Sequence, residues 1–180
     1  MEMTLVPVGF YELPIFKTLS REEVDEIGRL AHPMTFTAGE EVFAEKAVAN
    51  NLDIVWEGDV RISKRDPDGE DRPIAIVHAG SVVGEMSLMS GLGRSCSGVA
   101  VTDVKIFRVR REDFVQLLDA GSLAAYKVIY NLAQVMSGRL RAVDEKLVDL
   151  LNQREELAQT EQQTEEFAQF RQKLFTEWTF

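Results

Sequence analysis

The sequence predicts a mainly β protein in which an antiparallel sandwich or barrel follows a short helix and precedes a long C-terminal helix. A helix signal lies before residue 34, and seven short β-type runs separated by turn residues fill residues 34–109. A helical pattern without proline then continues to the end of the 180-residue chain. Several short strands at near-even spacing with glycine-containing turns are typical of antiparallel sandwiches and barrels.

The first helix is predicted to begin at a capping box. Ser20 and Glu23 have the S-x-x-E spacing, in which each side chain accepts a hydrogen bond from the other residue's backbone N–H. Apolar residues recur at helical spacing as far as Ala31. We expect the helix to end at His32-Pro33, because a proline disfavours the helical conformation of the residue before it.

The predicted strands alternate apolar and polar residues over short runs bounded by turns. Charged residues together with proline and glycine around Asp66–Asp71 predict an exposed turn. Two valines before Gly84 predict that a further short strand ends there. The seven predicted strands are Met34–Thr37, Glu41–Ala44, Leu52–Trp56, Asp59–Ser63, Pro73–His78, Ser97–Val101 and Val104–Val109.

The C-terminal part of the chain is predicted to be helical. Arg111–Leu118 has the apolar side of a short helix, and Gly121-Ser122 predicts a break followed by an N-cap. About three heptads of coiled-coil pattern follow and predict a dimer. The pattern lapses beyond Leu157, where the seam would fall on Glu161 and Thr164, and the Gln- and Glu-rich stretch Gln153–Glu166 is predicted to be a solvated helix. We expect the aromatic tail Phe167–Phe180 to pack on its own domain or on a dimer mate. The coiled-coil seam, interrupted at Arg154, is Met136, Leu140, Val143, Leu147, Leu150 and Leu157.

Composition excludes several classes of function. The formal charge of −10, from 30 acidic and 20 basic residues, disfavours nucleic acid and an anionic membrane as partners. One cysteine, Cys96, suits a reducing compartment, and two histidines, His32 and His78, are too few for a typical metalloenzyme. The sequence shows no signal peptide, no apolar span of about 18 residues and no nucleophile–base set. We therefore expect a cytoplasmic protein that is not an enzyme.

The segment that carries chemistry lies between residues 82 and 103. One or two helical turns are expected over Glu85–Ser90, followed by a glycine-containing loop, Arg94 and three small residues at 95–97. Small side chains let backbone N–H groups approach a ligand, and arginine is a planar, permanently charged partner for phosphate. Glu85 would instead accept hydrogen bonds from hydroxyl groups. Together these residues predict recognition of a sugar phosphate or nucleotide.

At these residues the sequence resembles the cyclic nucleotide-binding domain family. The resemblance rests on Val83-Gly84-Glu85-Met86-Ser87-Leu88, followed by Arg94-Ser95-Cys96-Ser97 nine residues after the glutamate. Further landmarks are Leu13-Pro14-Ile15-Phe16, Gly39-Glu40-Glu41-Val42 and Trp56-Glu57-Gly58-Asp59-Val60. The resemblance covers roughly residues 12–147.

The resemblance implies a fold, a ligand and residue roles. The fold is an antiparallel double-stranded β-helix, a jelly-roll-like β-roll, at residues 12–121, with a long dimerising helix and tail at residues 122–180. Arg94 would pair with the cyclic phosphate, Glu85 with the ribose 2′-hydroxyl and Ser95 with the phosphate. The implied ligand-binding set is Gly84, Glu85, Met86, Arg94, Ser95, Cys96 and Ser97.

The sequence also departs from the family pattern. Lys46 stands where glycine is usual, Gly93 where proline is common, and Gly98 where valine is usual. In related catabolite activators the long helix supplies hydroxyl groups to the base, but the matching positions here are Val143 and Asp144. Two readings therefore stay open. One is a cyclic nucleotide sensor, and the other is a member that has lost its ligand and acts as an interaction or dimerisation module.

We expect the sensor to bind cAMP or cGMP, with cAMP favoured, and to need no cofactor or metal. Its ligand would alter the packing of Arg111–Leu118 and the hinge at Gly121, and a homodimer or a downstream protein partner would receive the signal. Residues 139–180 contain no glycine or proline and carry more acidic than basic residues. They therefore do not resemble a helix-turn-helix.

Overall fold

The computed structural model describes residues 7–48, 51–157, 168–170 and 172–173. Two 3-10 helices, at Val8–Glu12 and Pro14–Phe16, precede the first α-helix. The α-helices are α1 Arg21–Gly28, α2 Glu85–Ser90, α3 Arg111–Asp119 and α4 Leu123–Leu157. The strands are β1 Ala31–Phe36, β2 Glu41–Phe43, β3 Asn51–Glu57, β4 Asp59–Arg65, β5 Asp71–His78, β6 Val82–Val83, β7 Ser97–Ala100 and β8 Val104–Arg110.

Helix α1 begins as predicted and ends earlier than predicted. The Glu23 backbone N–H donates to Ser20 Oγ at 3.3 Å, and the Ser20 N–H donates to the Glu23 carboxylate at 2.7 Å, which confirms the capping box. The expected end at His32-Pro33 is wrong, because the helix stops at Gly28 and Ala31 already pairs with Val109 in a sheet. Strand β1 lies at a sheet edge, where a proline costs no ladder hydrogen bond.

Eight strands form two four-stranded antiparallel sheets, ordered β1-β8-β3-β6 and β2-β7-β4-β5. Each of the seven predicted strands corresponds to an observed one, and the short β6 ends immediately before Gly84 as expected. The mainly β prediction and the β-roll implied by the resemblance are both confirmed.

Two apolar clusters lie on opposite faces of strand β3. Ile54 contributes to a cluster shared with the 3-10 helices, α1, α3 and the first turns of α4, whereas Val55 faces the space between the two sheets. We call the second cluster the inter-sheet core. Successive residues of a strand point to opposite faces, so Asp53 shares the face of Val55. The inter-sheet core consists of Val42, Phe43, Val55, Val60, Ile62, Val83, Ala100, Val104 and Ile106.

The β-roll continues into helices at its C-terminal end. Gly121 has φ +76°, and the Ala125 N–H donates to Ser122 Oγ at 3.2 Å, which confirms the predicted break and N-cap. The beginning of α4 is tied to the N-terminal elements, because Lys127 Nζ donates to both Glu23 carboxylate oxygens at 2.7 Å. The buried Asn131 amide also donates to the Ile15 carbonyl at 2.8 Å.

The chain divides into two compact units, Met1–Ala133 and Gln134–Phe180. The domain boundary predicted between residues 121 and 122 and the coiled-coil seam stay predictions. Of the seam residues described within the second unit, Leu140, Val143 and Leu150 are exposed, whereas Met136 and Leu147 are half-buried. Most of the predicted aromatic tail lies outside the described residues.

Candidate ligand-binding site

Gly84 connects β6 to α2 in a conformation that other residues rarely adopt. Its φ of +88° lies in the left-handed region, where a side chain is disfavoured. A Cβ at this position would also collide with Arg94 Nη1 and with the Asn51 carbonyl oxygen. The glycine therefore provides both the turn into α2 and the space that the Arg94 side chain occupies.

Ser95, which follows Arg94, lies beside the first turn of α2. Glu85 is the first residue of α2 and is buried, while Ser95 Oγ lies 3.9 Å from both Met86 Sδ and Cys96 Sγ. Burial raises the pKa of the half-buried Cys96 thiol, which the charges of Arg94 and Lys64 partly oppose and that of Glu85 reinforces. The raised pKa fits a packing residue better than a reactive thiolate.

The backbone of Arg94 is clamped by the turn after β2. The Lys46 N–H donates to the Arg94 carbonyl at 2.8 Å, and the Arg94 N–H donates to the Ala47 carbonyl at 3.2 Å. Lys46, at the position where the family usually has glycine, has φ +64°. The left-handed conformation that glycine favours is therefore present at this position, although lysine occupies it.

Phe43 explains a second departure from the family pattern. A Cβ at Gly98 would lie 2.5 Å from two carbons of the Phe43 ring, so the valine usual in the family does not fit beside this ring. The other neighbour of the ring is the Arg94 guanidinium, whose Cζ lies 4.5 Å from the ring centroid. Gly98 thus makes room for an aromatic ring on which Arg94 rests.

The Arg94 side chain points into the inter-sheet region and is only 2% exposed. Its Nη2 donates to Asp53 Oδ2 at 2.6 Å, and the Asp53 side chain is completely buried. Arg108 Nε donates to the other Asp53 oxygen at 2.6 Å, and Arg108 Nη2 donates to Asp53 Oδ2 at 3.0 Å. We call Asp53, Arg94 and Arg108 the interior charge cluster.

Sequence reasoning missed Asp53 and Arg108. Asp53 is the one acidic residue inside the predicted strand Leu52–Trp56, and a charge in an otherwise apolar strand was the available signal. Its partners lie 41 and 55 residues away in sequence, and only the pairing of β3 with β8 places Asp53 opposite Arg108. Arg94 was identified as an anion-binding residue, but its protein partner was not.

A separate cavity of about 320 Å³ lies on the outer face of the second sheet. Arg61 and Ser63 of β4 line it, whereas Val60 and Ile62 alternate with them and face the inter-sheet core. Of the predicted ligand-binding residues, Ser97 is the one that lines this cavity. Ser97 Oγ instead accepts a hydrogen bond from the Glu45 N–H at 3.0 Å. This structure therefore separates Ser97 from Glu85 and Arg94.

Two kinds of feature are absent from the described residues. No group of three or more His, Cys, Asp or Glu residues among them is arranged to hold a metal ion. No helix in the described part of the chain combines the length and the apolar character needed to cross a membrane.

Two packed antiparallel sheets, with a short helix and a buried arginine between β6 and β7 and a long helix following the sheets, define a β-roll domain. Residues 33–120 match the sequence model described as "cyclic nucleotide-binding domain". Through this segment the chain belongs to the cyclic nucleotide-binding domain family.

Comparisons with individual proteins agree with this assignment. The chain is 34% identical over 139 residues to the cyclic AMP receptor protein of Thermus thermophilus, covering 77% of this chain and 62% of that protein. The structure of Thermus thermophilus catabolite activator protein superposes with a TM-score of 0.67 at 33% identity, covering 77% of this chain and 63% of that one. A cyclic nucleotide-binding domain from Methylobacillus flagellatus gives a TM-score of 0.72 at 26% identity, with 78% and 81% covered. The chain thus spans less than two thirds of the Thermus proteins.

Proposed function

We propose that this chain is a cyclic nucleotide sensor that binds cAMP or cGMP at the mouth of the β-roll and acts by regulation rather than by catalysis. The observation that carries the proposal is the position of the Arg94 guanidinium against Gly84, directly before the buried Glu85, with Ser95 Oγ 3.9 Å from Met86 Sδ of the same helix. Arg94 would bind the cyclic phosphate, and Glu85 would accept a hydrogen bond from the ribose hydroxyl.

Lys64 adds a charge that sequence reasoning did not assign to this site. Its positive charge, like that of the Arg94 guanidinium, opposes the effect of burial on the pKa of the Cys96 thiol. A second cation near the phosphate would favour an anionic ligand further. Since Lys64 is exposed, we expect its effect on affinity to be smaller than that of Arg94 and to weaken with added salt.

A hydrogen bond provides a route by which ligand binding can reach the helices. Arg111, the first residue of α3, donates from Nε to the Leu88 carbonyl of α2 at 2.9 Å. A shift of α2 on ligand binding would therefore pull on α3, and Gly121 after α3 has the backbone freedom of a hinge. In this proposal the beginning of α4 is the element that responds.

The proposal includes a homodimer formed through the second unit. Three described seam residues, Leu140, Val143 and Leu150, expose apolar side chains at helical spacing, which favours a helix-to-helix contact. Sedimentation of the Leu147→Asp variant should then give the monomer mass. Asn152→Asp, which adds the same charge outside the seam, should leave the dimer intact. A dimer mass for Leu147→Asp would contradict this interface.

Calorimetric titration with cAMP and cGMP, with 5′-AMP as a control, tests the binding site. The wild-type chain should bind a cyclic nucleotide, and Arg94→Ala should lose about 1.5–3 kcal/mol of binding free energy with the loss of a charge-assisted phosphate contact. Arg72→Ala, which removes an exposed arginine that also pairs with an aspartate, should bind like the wild type. No binding by the wild type up to the millimolar range would contradict the sensor proposal.

One observation favours a second candidate. Arg94 is buried and already paired with Asp53, as expected if the arginine were purely structural and the chain had become an interaction or dimerisation module. The same titration separates the two candidates, because the module would bind neither cyclic nucleotide.

A further inference from the structure

Asp53 and Arg94 of the interior charge cluster differ in how much of their hydrogen-bonding capacity is used. Asp53 accepts three short hydrogen bonds, one from Arg94 and two from Arg108. Arg94 donates a single one of these, and its Nε and Nη1 atoms are buried without a hydrogen-bond partner among the described residues. A guanidinium has five N–H groups, so Arg94 is much the less satisfied member.

This inequality determines which bond can be exchanged. If Arg94 left Asp53, the carboxylate would keep both hydrogen bonds from Arg108 and would remain paired. Arg94 would then need another anion, because an unpaired buried charge is costly. A phosphate offers several acceptor oxygens and can bind two N–H groups of a guanidinium at once. Asp53 binds only one N–H group of Arg94.

We propose that Asp53 is an internal counter-anion that competes with the ligand phosphate for Arg94 and thereby lowers the affinity of the site. Arg108 holds Asp53 in place. Because Arg108 also pairs with the Asp53 carboxylate, it weakens the attraction between Asp53 and Arg94. Binding is then an exchange of partners, in which Arg94 passes from Asp53 to the phosphate while Asp53 stays with Arg108. This inference rests on the proposed function, since it concerns the ligand of the same site.

Two single variants should shift the affinity in opposite directions. Asp53→Asn removes the competing charge and should lower the Kd for cAMP or cGMP about tenfold or more, because the competent form of Arg94 becomes the more populated one. Arg108→Gln leaves Asp53 to Arg94 alone and should raise the Kd by a similar factor. Damage to the fold would weaken binding in both variants. Asp66→Asn, which removes a half-buried carboxylate outside the cluster that is also paired with an arginine, should leave the Kd unchanged.

The double variant Asp53→Asn/Arg108→Gln restores the net charge of the cluster and completes a double-mutant cycle. Its Kd should equal that of Asp53→Asn, because without the Asp53 carboxylate Arg108 no longer affects how strongly Arg94 is held. If the Arg108→Gln effect persisted in the absence of Asp53, Arg108 would act on the ligand directly and the competition would be refuted. Thermal melts of all variants establish that each one is folded before titration.

The outcomes separate this inference from the proposed function. Measurable but weak binding by the wild type, together with at least tenfold tighter binding by Asp53→Asn, would support the competition. Binding by the wild type with an unchanged or higher Kd for Asp53→Asn would refute the competition and leave the sensor in place. No binding by the wild type, Asp53→Asn or the double variant would overturn both.

Discussion

One arginine–aspartate pair lies inside the β-roll, and another lies at the turn between β4 and β5. Arg94 lies 2.6 Å from Asp53 and Arg72 lies 2.7 Å from Asp66, so distance does not distinguish the two pairs. The two pairs differ instead in how deeply their side chains are buried. The interior side chains are 2% and 0% exposed, whereas the Arg72 side chain is 67% exposed.

Burial changes what an ion pair can do. On the turn, water replaces either partner at little cost, so the pair contributes little to stability and its loss has little consequence. Inside the roll, loss of one partner leaves an uncompensated charge, so Arg94 leaves Asp53 only when another anion takes its place. The interior pair is therefore suited to respond to an anionic ligand, and the turn pair is not.

Removal of the interior carboxylate should have the largest effect on stability. Asp53→Ala leaves Arg94 and Arg108 without their anion and should lower the free energy of unfolding by about 3–5 kcal/mol, measured by chemical denaturation. A loss below about 1 kcal/mol would mean that the interior pair behaves like a surface pair, and the contrast between the two regions would fail.

Crowding around Arg94 should have an intermediate effect. Gly84→Ala combines a positive φ with a collision against Arg94 Nη1, and should cost roughly 2–3 kcal/mol of stability. Gly39→Ala is the matched control, because Gly39 has φ +89° but nothing within 4 Å of its Cβ position. The control should cost only about 1–2 kcal/mol, the strain of the left-handed backbone. Equal costs at both glycines would show that Arg94 does not need the space at Gly84.

The turn pair should show the smallest effect. The hydrogen bond from Arg72 and those from backbone N–H groups lower the pKa of Asp66, so the carboxylate stabilises the fold above its unfolded pKa. This contribution is lost as the pH falls through the folded pKa. Asp66→Asn should therefore lower the melting temperature slightly at neutral pH, and the difference from the wild type should disappear in acid. A difference that grows toward acid would contradict this sign.

The two regions also differ in how far the sequence predicts them. The turn was expected at Asp66–Asp71, because proline, glycine and aspartate act over a few residues. The strands and the capping box were predicted for the same reason, since their signals are local. The end of α1 was predicted too late, because pairing of Ala31 with Val109 in the sheet overrode the helical spacing. The interior charge cluster depends on strand register and could not be predicted.

For the binding residues too, local sequence signals predicted their identity but not their long-range contacts. Gly84, Glu85 and Arg94 were identified from spacing and from the family resemblance, and the structure places the Arg94 guanidinium against Gly84, which directly precedes the buried Glu85. The spacing alone did not indicate that Arg94 would already have a partner. Nor did it indicate that Gly98, a departure from the family pattern, accommodates the Phe43 ring beneath that arginine. Both facts depend on contacts between residues far apart in sequence.

A crystal structure of the chain grown with cAMP tests the central claim most directly. The account predicts a phosphate oxygen within hydrogen-bond distance of the Arg94 guanidinium, with Asp53 held by Arg108 alone. The contrary result is cAMP absent from the interior, or bound only in the outer-face cavity beside Arg61, with Arg94 still 2.6 Å from Asp53. That result would show that the interior pair is structural and that the arginine is not a ligand-binding residue.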